Sequence, residues 1–109
     1  MDNEAIAELF SALGPVEIRR MFGGKGVYHR GVIVAIELDG EIMLKADAIS
    51  APYFAAEGCR QWAYEGKQGR ALAMPYWSVP DGALDDPAEM LRWARRAYEA
   101  GLRGGRKKG

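Results

Sequence analysis

The sequence predicts an α+β domain: two layers, with a five-stranded antiparallel sheet and three helices in the order α-β-β-β-α-β-β-α. Three observations predict it. Apolar residues recur at helical spacing near both ends, as in Ala5, Ile6, Leu9, Phe10 and Leu13. Between residues 16 and 46 the pattern switches to period two, with Asp39-Gly40 placed between two alternating runs as a hairpin turn. Glycine and proline then divide the rest into short segments. Helices on one face of an antiparallel sheet are the arrangement that buries such stripes.

In chain order, Asp2 or Asn3 caps the first helix and Gly14-Pro15 ends it, because glycine suits the left-handed cap and proline cannot continue a helix. Residues 18–28 read as one strand, bent at Gly23-Gly24 and Gly26. Val32, Val34, Ile36 and Leu38 share one face of the next strand, and Ile42, Leu44 and Ala46 one face of the third. Residues 47–58 form a short helix, with Asp47 as its cap, Pro52 in its first turn and Gly58 at its end. Residues 60–64 alternate as a fourth strand. After the turn at 66–69, residues 70–77 make a fifth, which Pro75 marks as an edge strand or one ending in a bulge. Asp86-Pro87-Ala88-Glu89 opens the last helix as a capping-box-like start. Its stripe runs through Leu91, Ala94, Tyr98 and Leu102, widened by Met90, Trp93 and Ala97; Gly101 frays its end. One domain therefore spans residues 1–102, and 103–109 form a disordered basic tail.

Composition narrows the function classes. At 109 residues, 49% hydrophobic and 28% charged, the chain holds one globular core. No apolar run approaches the roughly 20 residues that cross a bilayer, and the acidic start Met1-Asp2-Asn3-Glu4 is unlike a secretory leader. The single cysteine, Cys59, has no internal disulfide partner. A cytoplasmic protein without a membrane partner is expected. Net charge is zero but uneven: Arg103, Arg106, Lys107 and Lys108 make the tail +4, leaving eleven basic and fifteen acidic residues, −4, in the body. Such a body is not the basic footprint that drives phosphate binding.

The side chains capable of chemistry are sparse. His29 is the only histidine, and with one distant thiol no metal-ligand cluster forms. Cys59 follows a helix end rather than a helix start, so nothing stabilises its thiolate. Gly23-Gly24-Lys25-Gly26 lacks the following Ser or Thr, and the helix, of a phosphate loop; it reads as a bend. Asp81, Asp85 and Asp86 sit in a loop and at a helix start, where they complement the dipole. No catalytic, cofactor or metal residue is assigned. The strongest local signal is basic: Arg92, Arg95, Arg96 and Arg103 lie on one side of the last helix, and Arg106, Lys107 and Lys108 prolong it. That stripe is either a nucleic-acid contact or a solvated face paired with Glu99. Tyr76 and Trp77, beside Pro75, are either sheet packing or part of an interface.

Arg19-Arg20-Met21-Phe22-Gly23-Gly24, continuing through Gly26-Val27-Tyr28, Gly31 and Leu44-Lys45-Ala46-Asp47, resembles the opening of the N-terminal domain of the TfoX/Sxy family. Phe54-Ala55-Ala56, Gly58, Met74-Pro75-Tyr76-Trp77-Ser78-Val79-Pro80, Leu84-Asp85-Asp86-Pro87 and Trp93-Ala94 extend the resemblance over about 16–101. It implies a secretion-chaperone-like two-layer fold. It also implies a part in regulating competence (DNA transformation) genes as a transcriptional coactivator working with the cyclic-AMP receptor protein, in relatives that carry a second, helical domain.

The leading expectation is thus a non-enzymatic regulatory or protein-interaction module contacting a protein of the transcription machinery through Arg19, Arg20, Phe22, Tyr76 and Trp77. The alternatives are direct nucleic-acid binding through the last helix and tail, and a small-ligand pocket formed by Arg20, Tyr28 and Tyr64. An open sheet edge also allows a homodimer.

Overall fold

A computed structural model describes residues 1–21, 23–66 and 69–106, of Arg106 the backbone only. The elements are α1 (Asn3–Leu9), β1 (Glu17–Met21), β2 (Gly24–His29), β3 (Val32–Leu38), β4 (Glu41–Lys45), α2 (Ala51–Ala56), β5 (Gln61–Glu65), β6 (Ala71–Ser78) and α3 (Pro87–Arg106). The α+β class and the three helices are as expected, but the antiparallel sheet has six strands, in the order β1-β2-β3-β4-β6-β5.

The extra strand comes from the glycine-rich segment. It folds as a hairpin instead of one bent strand: Met21 pairs directly with Gly24, and Gly23 takes a φ of 76°. Gly24 is obligatory there, since a Cβ would lie 2.1 Å from the Glu37 carbonyl oxygen. The two following hairpins turn through Arg30-Gly31 (φ 51° and 80°) and Asp39-Gly40 (φ 51° and 83°), both with the two positive φ values of a type I′ turn.

The helices cover one face of the sheet. Ile6 and Phe10 from α1, Phe54 from α2 and Met90, Trp93 and Ala97 from α3 pack on Val27, Val34, Ala35, Ile42, Leu44 and Ala46. Ile42, Leu44 and Ala46 share this face as expected. Val34 and Ile36 do not share a face: Val34 belongs to the helix-side core and Ile36 to a second cluster. A register shift between Val27 and Tyr28 is the cause, because an extra residue in β3 turns consecutive Val34 and Ala35 both inward.

Local signals at the helix ends are largely realised. Asp2 Oδ1 accepts from the Ala5 N–H at 2.8 Å, capping α1. Asp86 Oδ1 accepts from Ala88 and Glu89, while Glu89 turns to Arg92, 3.5 Å away, instead of closing the box. Asp47 acts three residues ahead of the cap position Ser50: its Oδ1 accepts from the Ile49 and Ser50 N–H groups, and its own N–H donates to Ser50 Oγ.

The end of α3 differs from expectation. Gly101 does not fray the helix, which continues to Arg106. A Cβ at Gly101 would stand 2.4 Å from Val32 Cγ1 and 2.8 Å from the Ile33 carbonyl oxygen, so the glycine lets α3 lie directly on β3. Arg103, placed by sequence in a disordered tail, sits in this helical turn; Lys107 and Lys108 lie outside the described residues.

Candidate functional site

With the helices on one side, the other face of the sheet is left open. Strand alternation places Arg19 and Met21 of β1, Tyr28 of β2, Ile36 and Leu38 of β3, and Met43 and Lys45 of β4 on it. Leu72, Met74 and Tyr76 of β6 and Trp62 and Tyr64 of β5 lie on it too, and the same alternation brings Glu17 of β1 and Glu41 of β4 to it. Its centre is desolvated although no layer of backbone covers it. Ile36, Met43 and Tyr76 are buried there, ringed by half-buried Met21, Ile33, Leu38, Trp62 and Met74.

The aromatics are arranged across this face. The Trp62 ring centroid lies 6.4 Å from Tyr76 and 6.3 Å from Tyr64. Cations cover the other rings: Arg19 Cζ is 4.6 Å from the Tyr28 centroid and Lys45 Nζ is 5.2 Å from the Tyr76 centroid. Tyr28 lies flat because Gly26 yields the space; a Cβ there would be 3.0 Å from Tyr28 Cε1. Burial, then the neighbouring Tyr28, push the Tyr76 phenol above its ordinary pKa. Burial draws the Lys45 ammonium down, against the opposing charge of Asp47. Toward β5 the face becomes exposed, where Tyr64 and its register partner Leu72 each keep about half their area in solvent, 49% and 50%.

The expected contact residues separate between two faces. Tyr76 is at the centre of the open face, and Arg19 lies at its border, also paired with Glu17 at 2.8 Å. Trp77, one residue on, points the other way and stacks on Phe54 at 6.2 Å within the helix-side core. Nor is β6 an edge strand: it lies between β4 and β5, and Pro75 occupies the register irregularity opposite Trp62, where no ladder N–H is needed. Arg20 follows Ile18 on the helix side of β1, and Phe22 falls outside the described residues. Tyr28 and Tyr64 stand on β2 and β5, with three strands between them, and Arg20 faces the opposite way; these three residues line no common pocket. The open face itself was not singled out by sequence, because assigning it requires the bulge at Val27/Tyr28 and the pairing of β4 with β6.

The basic stripe of α3 is largely engaged within the protein. Arg103 binds Asp47 through two hydrogen bonds, Nε to Oδ2 at 2.6 Å and Nη2 to Oδ1 at 2.9 Å. Arg96 stacks on Tyr53, with Cζ 3.8 Å from the ring centroid, and its buried Nε has no hydrogen-bond partner among the described residues. Arg92 contacts Glu89, and Arg95 is exposed. The side chain of Arg106 and all of Lys107 and Lys108 lie outside the description.

His29 is buried beneath α3. Its Nδ1 lies 2.8 Å from the Pro15 carbonyl oxygen, which only accepts, so that nitrogen carries the proton. The ring meets Tyr98 edge-on at 5.1 Å. Cys59 is half-buried against the helix-side core, and burial pushes its thiol up. Among the described residues no three of His, Cys, Asp and Glu gather as a metal site, and no helix is long and apolar enough to cross a membrane.

In comparison with known proteins, the chain matches the TfoX N-terminal domain over residues 8–101. It belongs to the TfoX N-terminal domain family. Within that TfoX domain, the match runs from late α1 to Gly101, the residue on which α3 touches β3. The chain is also 26% identical over 96 residues to Protein Sxy of Escherichia coli (strain K12), a match covering 88% of this chain. It spans about half, 46%, of that relative's length.

Proposed function

We propose that this TfoX N-terminal domain is a non-enzymatic, cytoplasmic regulatory module of the competence-regulation family, acting by docking a protein partner on its uncovered sheet face. One observation carries the reading: a helix-free sheet face with a desolvated Tyr76 centre, flanking Trp62 and Tyr28, and an exposed Tyr64–Leu72 pair. Interfaces draw most of their binding energy from a few Tyr, Trp and Arg side chains packed near a water-excluded centre. Six strands at about 4.8 Å spacing give a face roughly 25 Å across, the scale on which one partner of a standard interface contributes about 800 Å².

The centre of this face is apolar and aromatic, a chemistry of packing and stacking, with the cations Arg19 and Lys45 and the carboxylates Glu17 and Glu41 around it. By the family resemblance, the partner belongs to the transcription apparatus, the cyclic-AMP receptor protein being the first to test. In a binding assay with that purified protein, the wild-type chain is expected to be retained. Tyr64→Ala with Leu72→Ala should weaken retention at least about tenfold, the loss of one or two interface anchors, while Arg92→Ala with Arg95→Ala should leave it unchanged. Equal retention of both variants would count against the reading.

A further inference from the structure

A second surface lies at the other side of the molecule, between α1 and the segment that leads into α3. Helix α1 spends its Ile6–Phe10 stripe on the core. Ala5 and Leu9 of α1, with Ala12 in the turn that follows it, face a groove of about 660 Å³ whose opposite wall is Leu84, Pro87 and Met90. Met90 is buried at its floor, whereas Leu84 is 55% exposed at its lip. The charged side chains that line it, Asp2, Glu4 and Glu8, are all acidic, and the terminal ammonium of Met1, which also lines it, pairs with Glu37 at 3.3 Å.

We propose that this groove docks a basic amphipathic helix, independently of the sheet face. Three features fix that occupant. First, the groove wall combines Leu9 with the small side chains of Ala5 and Ala12. Such a surface lets a second helix approach to the usual 8–10 Å between axes, with its own apolar residues at i, i+3/i+4 and i+7 set against Leu9, Leu84 and Met90. Second, Glu4 and Glu8 are like charges four residues apart on a seven-residue helix, and neither is paired with a cation among the described residues. That repulsion works against the helix unless lysines or arginines are brought to it. Third, the basic residues described in the last turns of α3 do not fill the groove: Arg103 is held by Asp47 and Arg96 lies on Tyr53. Helix α3 starts beside it at Pro87 and runs 20 residues away, about 30 Å at 1.5 Å per residue.

The test is an amide-resonance titration of the full chain with synthetic helical peptides of about 14 residues, roughly four turns. A leucine/lysine amphipathic peptide is expected to shift Ala5, Leu9, Ala12 and Leu84 first. A leucine/glutamate peptide of the same pattern and a lysine/serine peptide without the apolar stripe are both expected to leave them in place. Charge reversal at two exposed sites, Glu4→Lys with Glu8→Lys, should weaken the leucine/lysine peptide about tenfold or more, as removal of two close ion pairs would. Leu84→Ala, equally tolerable to the fold, should weaken it severalfold. Binding of the lysine/serine peptide with equal strength, undiminished binding to the Glu4→Lys/Glu8→Lys protein, or shifts centred on Tyr64 and Trp62 would each overturn the proposal. So would shifts of the groove residues on raising protein concentration without peptide, which would assign the groove to a second copy of this chain.

Discussion

Arg103, in the last turns of α3, grips Asp47, just ahead of α2, with two parallel hydrogen bonds across 56 positions of sequence. The fork fixes α3 against the β4–α2 junction, and Asp47 simultaneously holds the Ile49 and Ser50 amides. Both side chains are about one-third exposed, which reduces what the pair contributes. Arg103→Ala is expected to cost about 1–2 kcal/mol, between an exposed pair and a buried charge-assisted bond. Denaturant unfolding measures it, and a cycle with Asp47→Asn should show that the two losses do not add.

The same contact gives a pH dependence. The Arg103 hydrogen bonds hold the Asp47 carboxyl well below the usual carboxylate range. A depressed folded pKa contributes stability in full above the unfolded value of about 4 and loses it as pH falls toward the folded value. The melting temperature of the wild type should therefore fall more steeply than that of Asp47→Asn between pH 5 and about pH 3. Parallel curves for the two proteins would mean that the pair does not form in solution.

Gly101 is where α3 rests on β3. Alanine is the better helix former by about 1 kcal/mol, but its Cβ would meet Val32 Cγ1 at 2.4 Å and the Ile33 carbonyl oxygen at 2.8 Å. The backbone contact cannot yield by a rotamer change, so Gly101→Ala is expected to destabilise by about 1–3 kcal/mol. Thermal unfolding would show the sign directly. A gain in stability would mean that the helix stands off the sheet.

Much of this fold was legible in residues whose local chemistry is decisive. Asp39-Gly40, the Asp2 cap and the Asp86-Pro87 helix start all act within a few positions of themselves. The hairpin at residues 21–24 was not, because a glycine pair in a strand signals a bend as readily as a turn, and the pairing of Met21 with Gly24 separates them. Gly101 was read as a helix end for the same reason: what it touches, Val32 and Ile33, lies about 70 positions away. The candidate site was the least legible part. Tyr76 and Trp77 look alike in sequence, but strand geometry sends them to opposite faces, one to the open cluster and the other to Phe54.

That division is itself measurable. Phe54 is fully buried between Trp77 and Trp93, with ring centroids 6.2 and 4.8 Å away. Phe54→Ala is expected to cost about 3–5 kcal/mol. Tyr64→Ala, on the exposed part of the open face, should cost less than about 1 kcal/mol. Urea midpoints for the two variants provide the comparison, and a large loss at Tyr64 would mean that the open face is structural.

Among the described residues, nucleic-acid binding through α3 has few side chains to draw on, since Arg103 is committed to Asp47 and Arg96 to Tyr53. Fluorescence anisotropy with duplex DNA at low salt is expected to show no binding that responds to Arg92→Ala with Arg95→Ala. A tight complex lost in that variant and falling steeply with salt would establish the basic helix as the contact.

The most direct measurement is photo-crosslinking in bacterial cells, with a photoreactive residue placed at Tyr64 on the open face or at Arg95 on the outer side of α3. Capture of one defined protein from position 64, with position 95 silent, is the expected result. Silence at position 64 with a protein or nucleic-acid adduct at position 95 would contradict the assignment of the sheet face as the docking surface.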